Sequence, residues 1–430
     1  MEPDTVHSIA NLIFDAMPAT DFNDLSANDI ELFVQQMVSQ IANSLMQDFI
    51  FPSRIAQIQH LVASGQILCQ SCSSNLQLHK RDCSIHPKTI FASKITLSRN
   101  QYYCPKCDSY LMVADQQLEL LSRQMTPRLA LIVVMCGASW PYVIASAFLH
   151  FLFGVEVSAK TIELTTTDER LLPAPLEADP MDHPPGVVTM DGVVIHGRKA
   201  DEWLEMKVGS FFSTVVEVSK DRREVMDASF AANSCEQWKD FQAPVTAEAL
   251  RRGIGPTSEV EFVADSAEGI WSLCDMVFPL ARKRLDLYHA KCKIGERSRE
   301  AFSKRRDKKE RQEKLQGWLE KGEIGQALKY LQKHMPKSEG KKEAARKLIR
   351  YLKRNEERIA NYEQVKEAGG TRSSGLTEKG NDLVVNRRMK EGIMHWSRKG
   401  ANPILLQRTG FINKYARART GPYELAFCQA

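Results

Sequence analysis

The sequence predicts a multidomain α+β protein, with helical segments and a metal-binding ribbon ahead of a mixed α/β sheet that an all-helical block interrupts. Three observations predict it. Four of the ten cysteines fall in two pairs, Cys69-Gln-Ser-Cys72 and Cys104-Pro-Lys-Cys107. A proline-rich stretch (Pro173, Pro175, Pro180, Pro184, Pro185) separates helical periodicity from strand-like alternation. From about residue 294 to 370 the chain is highly charged and carries no strand signal.

The 430 residues suffice for about two to four domains. A hydrophobic share of 43% with 26% charged residues excludes a mostly disordered, collagenous or mucin-like chain. The net charge of +5 hides an asymmetry, because residues 281–430 hold 38 Lys+Arg against 18 Asp+Glu, leaving 20 basic and 35 acidic residues in 1–280. Such a split fits either a solvated helical surface or a C-terminal part that meets a polyanion. The acidic start, Met1-Glu-Pro-Asp4, is unlike a secretory signal, so a cytoplasmic protein is expected, and cysteines there serve as thiols or metal ligands. The 27 residues Leu129–Val155 lack a formal charge and are long enough to cross a bilayer. Gly137 and Ser139-Trp-Pro141 break them, so they are read as two buried helices, the second starting at Ser139, with no membrane span.

In chain order, 1–66 is a helical region in which Ile30, Phe33, Val34, Met37, Ile41, Leu45 and Phe49 recur at helical spacing, for packing onto the next domain or for a dimer contact. Residues 67–113 form the ribbon, with Ile95–Tyr103 as a strand between the cysteine pairs. Residues 114–175 are helical again. Gly154–Val157 reads as a turn and Ser158 as the cap of a short helix, a helix-turn-helix-like pattern. Strands are predicted at Val187–Ile195, Trp203–Val208, Phe211–Val218, Val260–Ala264 and Leu285–Tyr288, with helices over 234–252 and Ile270–Phe278. This core spans 186–293 and resumes at 371–415 with a helix over Gly375–Lys390; 294–370 is the basic helical insertion and 416–430 a tail.

Two constellations carry chemistry. Thiolates at i and i+3 on two tight turns supply a closed tetrahedral set at about 2.3 Å, so Cys69, Cys72, Cys104 and Cys107 are expected to bind one structural Zn²⁺. His79, Cys83 and His86 lie between the pairs as substitute ligands. The second constellation is Asp191 inside an apolar strand, Asp265 at the end of another and Glu378 near a helix start. An aspartate within an apolar strand is unfavourable unless paired or bound to metal, and functional side chains collect at strand carboxyl ends. Three such carboxylates could hold two Mg²⁺ (or Mn²⁺) ions about 3.5–4 Å apart. Each could equally be an ordinary strand-end or helix-start residue.

At this point a resemblance enters. Ile67–Cys72 through Tyr102–Cys107, Val157–Ile162, Met190-Asp-Gly192 with Trp203–Gly209, Phe262–Trp271, Leu285–Lys291, and Ser374-Gly-Leu-Thr-Glu378 with Asn386–Lys390 and Met394-His-Trp396 follow one another in the order of a known group. Over roughly 65–410 the chain resembles the DDE transposases of prokaryotic insertion sequences, specifically the ISKra-type group. That group usually has Gly after the second aspartate, whereas this chain has Ser266. The resemblance implies an RNase H-like core, an N-terminal zinc ribbon, and catalytic Asp191, Asp265 and Glu378 holding two Mg²⁺ or Mn²⁺ ions. It implies phosphodiester hydrolysis at transposon ends, then joining of the freed 3′-hydroxyl to target DNA. It also implies a prokaryotic, nucleoid-associated location and a homodimer or higher assembly on double-stranded DNA. Two rivals stay open: a transposase-derived DNA-binding protein that no longer cuts, and an RNase H-like nuclease without strand transfer.

His289 is either a contact to the scissile phosphate or a strand-end histidine filling a polar gap. Lys304, Arg305, Arg306 and Lys308, then Lys341 and Lys342, then Arg387, Arg388, Lys390 and Arg398 offer phosphate contacts, with strong salt dependence. Trp396 either stacks on an unpaired base or caps a core.

Overall fold

The computed structural model describes Asn11 and residues 25–91, 94–120, 124–173, 186–199, 201–219, 222–226, 228–302, 305–392 and 394–415; the predicted tail 416–430 lies outside them. The chain divides into two units at Leu171.

In the first unit, a capping box starts helix α1 (Ala27–Ser44). Ser26 Oγ accepts from Asp29 N, and Asp29 Oδ2 accepts from Ser26 N at 3.1 Å. A π-helical turn, Leu45–Ile50, leads into α2 (Phe51–Ala63). No residue of α1 is buried, whereas α2 buries Ile55, Ile58 and Val62. These three pack on the strands β1 (Gln77–Ile85), β2 (Leu97–Cys104) and β3 (Ser109–Leu111) and on the short helix α3 (Val113–Gln117). A sheet of three short antiparallel strands has little core of its own, and α2 supplies the missing face. Packing onto the ribbon is therefore the role of α2.

The uncharged stretch forms α4 (Pro127–Ser139) and α5 (Tyr142–Phe153), followed by α6 (Ala159–Thr166). Among the described residues no helix is long and apolar enough to cross a membrane. Ser139 closes α4 and does not cap α5, because Trp140 and Pro141 are extended between them. Gly154 ends α5 in the left-handed conformation (φ 63°), and Ser158 Oγ caps α6 by accepting from Thr161 N.

The second unit is built on a five-stranded mixed sheet of order β10-β9-β4-β5-β8. Its strands are β4 (Val187–His196), β5 (Trp203–Phe212), β8 (Ser229–Ser234), β9 (Glu261–Ala264) and β10 (Arg282–Leu285); β6 (Thr214–Ser219) and β7 (Arg222–Met226) form a separate hairpin. β4 pairs parallel with β9, and β9 with β10, while β5 is antiparallel to both β4 and β8.

Three strand expectations need correction. Trp203–Phe212 is one strand, because Gly209 continues the ladder opposite Met190. Ser229–Ser234 is a strand that alternation missed, being short and rich in Ala and Ser. The strand expected at Leu285–Tyr288 lies at Arg282–Leu285; its charged start hid it, and Leu287 already belongs to a helix.

Helices cover both faces of the sheet. On one face, α7 (Gln242–Arg251) and α8 (Glu268–Val277) meet Val188, Met190, Phe262 and Ala264. The helical block comprises α9 (Leu287–Ala301), α10 (Arg305–Glu320), α11 (Ile324–Lys333), α12 (Glu339–Arg354) and α13 (Tyr362–Glu367). Its buried Leu315, Leu331, Leu348 and Leu352 belong to the same continuous core as the sheet. Thr189 and Asp191 point the other way, as strand alternation requires. There α14 (Gly375–Asn381) packs on β4 and β5, then runs on through a π-helical turn, Asp382–Asn386, to Met389. The last helix, α15 (Arg398–Tyr415), packs on β8.

Candidate metal centre and acidic strand-end site

The ribbon brings its paired cysteines together. Ser73 (φ 55°) turns the chain tightly after Cys72, with Ser73 N donating to Cys69 O at 2.8 Å. Cys104 ends β2, and Cys107 sits in the turn to β3, where Asp108 takes φ 48°. The Sγ atoms of Cys69 and Cys107 are 3.8 Å apart, and those of Cys72 and Cys104 3.5 Å. A tetrahedron with 2.3 Å metal–sulfur bonds has edges of about 3.8 Å, so this cluster could hold a metal ion such as zinc. The thiols also perturb one another. Ser74 and then Cys107 pull Cys72 down to about 6, while Cys72 and burial push Cys107 up to about 12. The alternative ligands are engaged elsewhere: His79 packs on Tyr110, His86 meets Thr96 at 3.2 Å, and Cys83 Sγ donates to Arg81 O.

The acidic site begins with register. Met190 pairs with Ala264, and Leu285 pairs with Ala264 on its other side. The next residues therefore stand in a row where the parallel pairing stops, about 4.8 Å from strand to strand: Asp191 within β4, which runs on to His196, Asp265 directly after β9 and Asp286 directly after β10. Asp191 Oδ1 accepts from Gly192 N at 2.8 Å, and its Oδ2 accepts from Asn381 Nδ2 at 2.8 Å. Burial pushes the Asp191 carboxyl up, and the charge of Asp265 adds to this; Gly192, His289 and Asn381 pull the other way. Asp265 Oδ1 accepts from Ala267 N at 2.8 Å, which closes the loop after β9.

Asp286, absent from the sequence-based candidates, is the most buried of the three at 1% exposure. It caps α9 by accepting from His289 N at 2.7 Å and also accepts from both the backbone N and Oγ of Ser374. Burial works against its ionisation, yet His289 and Ser374 together hold it below the usual carboxylate value. His289 Nδ1 is 3.3 Å from Asp286 Oδ1, an ion-pair distance without hydrogen-bond alignment. Asp286 first, then the charges of Asp191 and Asp265, raise His289 to about 9 against the opposing effect of burial. His289 therefore lies in the first turn of α9, where a strand end was expected. The D-x-x-H spacing was the available signal for Asp286: a helix-start aspartate accepts from the backbone three residues on.

Glu378 lies on α14, which packs on β4, but its carboxylate is exposed; Tyr288 is raised first by its hydrogen bond with Cys292, and the charge of Glu378 adds to this. One turn later, Asn381 makes the contact to Asp191. Among the described residues the four cysteines are the one group of potential ligands whose donor atoms all lie within 4.8 Å; Asp191, Asp265 and Glu378 do not form such a group.

The basic candidates separate by burial. Lys304 and the side chains of Arg305, Arg306 and Lys308 lie outside the described residues. Lys341 and Lys342 are half-buried on α12, with Lys342 Nζ 4.0 Å from Glu339. Arg387 pairs with Asp382 at 2.8 Å, Arg398 with Glu236 at 3.4 Å, and Lys390 is exposed. One expectation is corrected, and one of two alternatives is selected. Arg388 is buried with its guanidinium 5.0 Å over the Trp396 ring. Trp396 is itself buried, and its Nε1 donates to Met389 O at 3.1 Å. A side chain enclosed in the core reaches neither phosphate nor base, so Trp396 is the core cap.

No protein-family model matches this sequence, and no curated protein sequence matches it.

Proposed function

We propose that this chain is a DDE-type DNA transposase with an RNase H-like core and a zinc-bearing ribbon. The reading rests on one observation above all: Asp191 and Asp265, far apart in sequence, directly follow the last register-paired residues, Met190 and Ala264, of the adjacent parallel strands β4 and β9. The order of elements supports it too. Asp191 lies on the first strand of the sheet in chain order, Asp265 directly after the fourth and Glu378 on a later helix, the placement that the resemblance implies for an RNase H-like core.

The residues suit a hard divalent cation. The donors are carboxylate oxygens, and Asp191 is held high by burial and by a like charge, a tension that a cation would relieve. Asp191 and Asp265 would hold Mg²⁺ or Mn²⁺, with Glu378 joining from α14. The bound ions would supply an activated water or 3′-hydroxyl and neutralise the leaving oxygen. His289, kept protonated by Asp286, would present positive charge to a scissile phosphate. Asp286 ties the start of the Glu378 helix to β10 through Ser374, so one buried carboxylate positions both His289 and the helix that carries Glu378. The partner would be double-stranded DNA, transposon ends and target, bound by a homodimer or larger assembly.

The test is cleavage of DNA carrying the terminal inverted repeats that flank the gene, with Mg²⁺ or Mn²⁺. The wild type should nick at the repeat and join the end to a target plasmid, and Asp191→Asn should do neither. Nicking that survives Asp191→Asn defeats the catalytic assignment. Binding without nicking supports the DNA-binding rival, and nicking without joined products supports the nuclease.

A further inference from the structure

The glutamate helix brings a second polar side chain to the acidic row. Asn381 is 3% exposed and lies one turn beyond Glu378 on the same helix face. The helix lies close to the sheet here. A Cβ on Gly380 would come within 2.8 Å of Ser210 Oγ and 2.9 Å of the Phe230 ring, so only glycine allows the approach that sets Asn381 against Asp191. Its Nδ2 donates to Asp191 Oδ2 at 2.8 Å, while its Oδ1 is buried and has no hydrogen-bond partner.

A buried amide oxygen left without a partner is unfavourable, because it has lost water and gained nothing. Amide oxygens are good ligands for hard cations such as Mg²⁺ and Mn²⁺. The N–H that now touches Asp191 also marks where positive charge is wanted. Both amide atoms hang on one carbon, so rotation of the amide exchanges a donor for a ligand at the same place. We propose that Asn381 is a further oxygen donor of the divalent-cation site, ligating through Oδ1 beside Asp191. This rests on the carboxylate reading above and adds to it a ligand that a three-carboxylate set does not contain.

The experiment is Mn²⁺ titration of the full-length, zinc-loaded chain without DNA. Free Mn²⁺ is followed by its paramagnetic resonance signal, and the thermal midpoint is recorded with and without the ion. Asn381→Leu keeps the approximate shape without the oxygen and should weaken Mn²⁺ binding about tenfold or more. Asn381→Asp places two carboxylates in contact. It should lower the midpoint without Mn²⁺ and show a larger Mn²⁺-induced rise than the wild type. This variant reads the ligand role even if the leucine variant folds poorly. Asp191→Asn is the control and should lose the site. Wild-type affinity in Asn381→Leu alongside loss in Asp191→Asn overturns the proposal, as does a Mn²⁺-induced rise in Asn381→Asp no larger than that of the wild type. A wild-type chain that binds no Mn²⁺ overturns the carboxylate reading itself.

Discussion

Replacing Asp286 tests the architecture of the site without any appeal to catalysis. Its carboxylate accepts from His289 N, Ser374 N and Ser374 Oγ, and it faces His289 Nδ1 at 3.3 Å. Hydrogen bonds to a charged group contribute about 1.5–3 kcal/mol each. Three of them, less the desolvation that a buried carboxylate no longer suffers once removed, leave Asp286→Ala less stable by about 3–5 kcal/mol. That is a large part of the total stability of an ordinary domain. Asp286→Asn keeps the helix cap through its amide oxygen but turns an N–H toward Ser374 N, which loses its acceptor, and should lose about 2–3 kcal/mol. Urea unfolding at pH 6 reads both values. Proton NMR of the imidazole reads the rest: His289 should titrate near 9 in the wild type and fall back toward its ordinary 6.5 in Asp286→Asn, because its largest upward influence is gone. The sign of the pH dependence follows. His289 is raised in the folded state, so its stabilisation is complete below about 6.5 and is lost as pH rises through about 9. Asp286 is lowered, so its own contribution is lost in acid. The alkaline decline should flatten in Asp286→Asn. A loss under about 1 kcal/mol in Asp286→Ala, or an unmoved His289 titration in Asp286→Asn, would refute the account.

Two further outcomes are expected. Metal analysis should find about one Zn²⁺ per chain in the wild type and none in Cys69→Ser, and chelation should expose Tyr102 and melt β1–β3; equal zinc in both proteins counts against the site. Under the DNA-binding reading proposed above, Arg388→Ala should behave as a core lesion of about 2–4 kcal/mol with the salt dependence of that binding unchanged. Lys390→Ala should leave stability within about 0.5 kcal/mol and lower the salt slope by about 1; the reverse pattern would show that burial misjudges both residues.

Local patterns were legible where spacing and chemistry coincide. The C-x-x-C pairs predicted a four-cysteine cluster because two turns of that geometry present thiols inward, and the cluster is there. The helix-start signal at Ser158 is realised as a cap. The proline-bounded change of pattern anticipated a sheet after 186, and Asp191 stood out as a charge in an apolar strand. Other features were hidden for identifiable reasons. β8 is built of small residues that read as loop and become a strand through pairing with β5 and cover from α15. β10 begins with Arg282-Lys-Arg284, and Arg284 is buried only because Glu261 and the Thr371 carbonyl accept from it. Arg388, a phosphate-contact candidate in a basic run, is enclosed against Trp396, and burial of that ring selects its core-cap reading.

The sequence alone determined which chemistries were possible: four thiols in two turns, carboxylates at strand and helix ends, and an uncharged stretch broken before it could span a bilayer. Those properties live within a few residues of one another, where covalent spacing dictates geometry. Only the tertiary structure decided that Asp191, Asp265 and Asp286 form a row, that Asp286 holds Ser374 and His289, and that Asn381, one turn past Glu378, is the residue that touches Asp191. Strand register and helix docking are set by contacts between segments up to 190 residues apart, which no local pattern encodes.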